Sequence, residues 1–146
     1  MLEPEVEREG ERAAGAGEEG AAYLSRQHAL LRQMLQVTHR QRRYLVEGDL
    51  KGLDETNRLL GHLLERQSAL HSEYAHLEGS LDCCAAELEQ LRRLACRLQE
   101  ESRTNYLLAC RGVQFAQVAI AALGGEPGPS HSGDARSAAG LLDRPA

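Results

Sequence analysis

The chain has 146 residues, with 17 Lys and Arg against 22 Asp and Glu for a formal net charge of -5, and it contains one Phe, no Trp and four Tyr. So few aromatic side chains exclude a thick globular core, and the acidic balance argues against nucleic acid as a partner. A sequence rich in Leu, Ala, Glu, Arg and Gln instead closes a thin Leu seam between long helices, whose stability comes from packing one apolar stripe.

Residues 1 to about 20 are rich in Glu, Gly and Ala, with Glu3, Glu5, Glu7, Glu9, Glu11, Glu18 and Glu19 outnumbering Arg8 and Arg12. With almost no large apolar side chains, this stretch is expected to be a disordered acidic tail. The start shows no basic stretch leading into an apolar core, and no window supplies the roughly 20 apolar residues of a membrane span. A cytoplasmic location without stable membrane insertion is the expectation.

From Tyr23/Leu24 through Leu30/Leu31, Met34 and Val37/Thr38 to Tyr44/Leu45, apolar residues recur at steps of three and four. This spacing predicts a first helix over about 21–47, roughly 40 Å long at about 1.5 Å per residue. Gly48 is placed to end it, and Asp49 to cap the next helix. A link this short returns the chain antiparallel, as a helical hairpin.

The second series is longer. Leu53, Leu60, Gln67, Tyr74, Leu81, Leu88 and Ala95 share one heptad position, and Leu63, Leu70, Leu77, Cys84, Leu91, Leu98 and Asn105 share the other. The phase survives Gly79, so the segment reads either as one very long helix or as helices over about 50–78 and 81–123 joined by a turn with Ser80 or Asp82 as cap. The first helix is too short to cover a continuous one, which favours the turn. Gln67 and Asn105 are polar at seam positions, where such residues fix register or mark an opening.

From Gly112 to Gly125 no side chain is charged, and Val113, Phe115, Ala116, Val118, Ala119, Ile120, Ala121, Ala122 and Leu123 lie almost all round a helix. A helix apolar on every side must be covered by something. After it, residues 124–146 are rich in Gly, Pro and Ser and read as a second flexible tail. The expected fold is therefore all-α: an elongated antiparallel helical hairpin or three-helix coiled-coil-like bundle over 21–123 with disordered termini.

Chemistry is sparse. His28, His39, His62, His71, His76 and His131 form no metalloprotease or nucleophilic constellation, and there is no Gly-rich phosphate loop. No enzyme, catalytic residue or cofactor is expected. Cys83, Cys84, Cys96 and Cys110 lack paired spacing and read as small apolar residues, while His71, His76, Cys83 and Cys84 point different ways on a helix, so no metal is expected. Arg26, Arg32, Arg40, Arg42 and Arg43 form a basic stretch without interleaved aromatic residues. It reads as a solvated face whose arginines pair with Glu65, Glu73, Glu78, Glu87, Glu89, Glu100 and Glu101 on the later helices.

The string Leu45-Val46-Glu47-Gly48-Asp49-Leu50-Lys51-Gly52-Leu53, a Leu- and Glu-rich return, and Asn105-Tyr106-Leu107-Leu108 before an apolar helix resemble the FlgN family of flagellar export chaperones over residues 22 to 125. The resemblance implies a cytoplasmic chaperone that binds the C-terminal helical segments of flagellar hook-associated, or hook-filament junction, proteins and prevents their premature assembly. It carries partner binding onto Asn105, Leu107, Leu108, Val113, Phe115, Val118, Ile120 and Leu123. Many members carry a tyrosine and a Gly-containing turn after the last helix for the export gate, whereas this chain has Pro129-Ser130-His131-Ser132-Gly133-Asp134 and no aromatic after Phe115. Gate contact is thereby put in doubt. The competing expectation is a homodimeric coiled-coil scaffold with no export role, in which the apolar C-terminal helices bury one another.

Overall fold

The computed structural model describes the backbone of residues 4–77, 81 and 84–124, and side chains from residue 15 onward within that set apart from residue 16. The Gly79-Ser80 turn, Cys83 and the tail beyond Gly124 lie outside the described residues. The described residues form three α-helices and no strand: α1 (Pro4–Glu47), α2 (Leu50–Glu73) and α3 (Ala85–Ala122), with a short 3-10 turn over Ala75–Leu77. The all-α expectation holds. The chain divides into two compact units after Ala109.

Helix α1 begins at Pro4, well before the expected Ala21. Pro suits the first turn of a helix, where its missing N–H has no partner to lose, and the Glu, Arg and Ala that follow are strong helix formers. The end of the presumed tail is also packed: a Cβ on Gly20 would sit 3.0 Å from Leu81 Cδ2, and Glu19 pairs with His76 at 3.2 Å. Composition alone understated this stretch, because its anchors lie at residues 76 and 81.

The hairpin forms as its residues require. Gly48 takes φ 71°, a left-handed conformation that suits glycine, and the Asp49 N–H donates to the Tyr44 carbonyl at 3.0 Å. Asp49 then caps α2, its Oδ1 accepting from the Gly52 N–H at 3.0 Å. Gly52 is held to glycine by crowding: a Cβ there would lie 2.7 Å from Cγ and Cδ1 of Tyr44 and 2.8 Å from Oδ2 of Asp49. Gly52→Ala is therefore expected to cost about 1 to 3 kcal/mol by overpacking, despite the better helix propensity of Ala. Gly61→Ala, also in α2 but with nothing within 4 Å of its Cβ, is expected to stabilise by up to about 1 kcal/mol. Thermal unfolding of the pair reads the opposite signs.

Helix α2 stops at Glu73, short of the expected residue 78. Tyr74 caps it, donating its N–H to the Leu70 carbonyl at 3.2 Å, and its ring meets Tyr23 of α1 with centroids 5.1 Å apart. Arg26 stands over the same ring, and Leu77 is buried. The heptad phase persists on either side of this break, with Tyr74 and Leu81, seven residues apart, both meeting α1, at Tyr23 and Gly20. Helix α3 starts at Ala85 rather than 81, and Gly124 at φ 77° follows its end at Ala122.

Cross-contacts give the directions. Arg26 meets Glu73 and Gln41 meets Asn57, so α2 runs antiparallel to α1. Leu24 and His28 share a groove with Cys84 and Leu91, and Thr38 meets Asn105, so this part of α3 runs parallel to α1. The core joins Leu30, Leu31, Met34, Val37 and Leu63, with Leu60, Leu91, Leu94 and Leu98 packed against it. Helix α1 supplies four of the five buried residues because it faces both of the other helices.

Candidate functional site

Two features stand out from the Leu seam. The first is the uncharged end of α3. The second is a polar layer that joins all three helices.

In the unit that begins at Cys110, none of the described residues is buried. Phe115 is 77% exposed and Leu123 88%, and Val113, Val118 and Ile120 are exposed as well. At 100° per residue, Val113, Ala116, Ile120 and Leu123 form one ridge, and Phe115, Val118, Ala119 and Ala122 form another, with Gln114, Gln117 and Ala121 between them. Five of the eight residues assigned to partner binding are thus presented to solvent on this segment. Helices of ordinary soluble domains bury such ridges, and exposed apolar patches of this kind mark interaction sites.

The other three lie in the first unit. Leu107 is exposed, Leu108 half-buried, and Asn105 only 3% exposed. Asn105 is no surface contact: its Nδ2 donates to the Thr38 carbonyl and to Gln41 Oε1, both at 2.8 Å, and its Oδ1 accepts from Arg42 Nε at 3.0 Å. The structure therefore separates Asn105 from the solvent-facing residues, because a side-chain amide on the inward stripe is satisfied there by α1. Gln67, the other polar seam residue, is half-buried.

Around Asn105 the layer widens. Gln41 Nε2 donates to Asn57 Oδ1 on α2 at 2.7 Å, and the Thr38 hydroxyl, itself 1% exposed, donates to the Met34 carbonyl at 2.9 Å. Arg42 also donates to the Glu101 carbonyl at 3.2 Å and pairs with the Glu101 carboxylate, which His39 approaches at 3.6 Å. Such a layer sets register, since any slip of α3 along α1 would strand several polar groups together. In the sequence it was signalled by Asn105 at a seam position and by the expected pairing of the α1 arginines, Arg42 among them, with glutamates that include Glu101. The inward spacing of Leu98, Glu101, Asn105 and Leu108 held a further hint, two consecutive polar residues on one stripe.

Desolvation pushes the Glu101 carboxyl up, but the charge and hydrogen bonding of Arg42, with those of His39, outweigh it and hold it below its ordinary value of 4.5. A carboxyl depressed in the folded state stabilises above its unfolded pKa, and that contribution is lost as pH falls through the folded value. Urea midpoints are expected to drop as pH is lowered below 4.5, with a smaller drop for Glu101→Gln. Equal acid sensitivity of the two proteins would remove Glu101 from the account.

Of the basic stretch, Arg26 reaches Glu73 across to α2 at 3.5 Å and Arg42 reaches Glu101 on α3, whereas Arg43 pairs with Glu47 of its own helix at 3.8 Å. Exposed pairs such as Arg26–Glu73 contribute only about 0 to 1 kcal/mol each. Among the described residues no cluster of His, Cys, Asp or Glu has the grouping to hold a metal ion. No helix among them is long and apolar enough to cross a membrane. No family model matches the chain, and no curated protein or solved structure matches it.

Proposed function

We propose that this chain is a helix-capture protein whose uncharged α3 segment binds an amphipathic helix of a partner and keeps it from assembling early. The observation that carries this reading is the exposure of Val113, Phe115, Val118, Ile120 and Leu123 on a segment without a charged side chain. A partner helix laid along either ridge removes apolar surface from water on both molecules at once. At about 25 cal/mol per Å², roughly 400 Å² of apolar area contributes on the order of 10 kcal/mol before ordering costs, enough for a tight and reversible complex.

The resemblance of Leu45–Leu53 and Asn105–Leu108 to flagellar export chaperones supports a specific client, the C-terminal helical segment of a hook-filament junction protein in the cytoplasm. Light scattering with and without candidate junction proteins tests it. A discrete complex with one of them is the expected result. A homodimer that ignores them all overturns the client reading.

A further inference from the structure

We infer that, in the absence of a client, the Val113, Ala116, Ile120 and Leu123 ridge at the uncharged end of α3 is covered by the same ridge of a second copy of this chain, packed antiparallel, which leaves the Phe115 ridge open. The client's identity rests on the reading above; the pairing does not.

The ridge of Val113, Ala116, Ile120 and Leu123 advances by three, four and three residues, the spacing of a two-helix seam. Laid antiparallel on its own copy, it sets Val113 against Leu123 and Ala116 against Ile120, each contact occurring twice by symmetry. Large residues meet large at the ends, and Ala makes room for Ile in the middle. Such a fit is self-complementary without any change in the ridge.

Charge selects both the occupant and its direction. The chain carries a net charge of -5, so two copies repel one another overall. The segment after Arg111 is free of charge, and two copies approach there without that cost. Arg111 is exposed at the start of the segment, and the last turn of α3 has no basic residue. A parallel pair would set Arg111 beside Arg111. An antiparallel pair sets each Arg111 beside the C-terminal end of the other helix, where a cation is favoured by the helix dipole.

The full chain without any client provides the test. Light scattering over a concentration series is expected to show twice the 16.0 kDa chain mass, and Ile120→Asp is expected to return it to 16.0 kDa with circular dichroism unchanged. Direction is read with Cys83, Cys84, Cys96 and Cys110 replaced by Ser. In that background, mixing Val113→Cys chains with Leu123→Cys chains under oxidation is expected to give the mixed disulfide, and neither chain alone a disulfide dimer. Monomer mass at every concentration, a dimer that survives Ile120→Asp, or self-crosslinking of Val113→Cys overturns the proposal. Because the mass and disulfide readouts contain no client, a chain that pairs as described yet binds no junction protein sinks the client reading alone.

Discussion

Asn105→Ala is expected to lower the free energy of unfolding by about 2 to 4 kcal/mol, more than any exposed substitution on α3. The amide makes three bonds inside the bundle, to the Thr38 carbonyl, to Gln41 Oε1 and from Arg42 Nε. Each is worth about 1 kcal/mol net, and each partner left behind in a poorly hydrated site adds a desolvation cost of about 1 to 3 kcal/mol where it finds no water. The neighbouring Thr104 supplies the control: it is exposed, and its hydroxyl donates only to the Glu100 carbonyl of its own helix at 3.0 Å. Thr104→Ala is expected to stay within about 0.5 kcal/mol of the parent in urea unfolding. If Asn105→Ala is as mild as its neighbour, the polar layer does not hold the bundle in register.

The second large effect falls on binding rather than folding. Phe115→Asp is expected to weaken capture of the junction-protein helix by a factor of roughly 30 to 1,000, the loss of about 2 to 4 kcal/mol typical of a buried aromatic anchor. Helix content and thermal stability should hardly change, because Phe115 is 77% exposed in the isolated chain. Titration of the variant with a client peptide, followed by circular dichroism of both proteins, separates the two quantities. Unfolding of the variant would show instead that the chain's own core needs this side chain.

Much of the architecture was legible from spacing. The step pattern from Leu24 to Leu45, the Gly48-Asp49 junction and the heptads of the return depend on neighbours close in sequence, and the structure follows them. The chain also announced the exposed segment, because no charge interrupts it between Gly112 and Gly125. Boundaries fared worse. Helix α1 reaches Pro4, and α2 ends at Glu73, for reasons located on other elements: Glu19 and Gly20 meet His76 and Leu81, and Tyr74 turns against Tyr23.

Asn105 marks the division most clearly. Its heptad position said that it pointed inward, yet not whether the amide would open the seam or be satisfied within it. That depended on Thr38, Gln41 and Arg42, more than sixty residues earlier, arriving at the same level of the bundle. By itself the sequence determined the helices, the hairpin and the uncharged segment, since each follows from local periodicity, capping and charge. Only the tertiary structure decided which polar residues are buried, where the second turn begins and which apolar residues stay in water. Those outcomes belong to pairs of side chains distant along the chain, and a hydrogen bond or a packed ring exists only once both partners are in place.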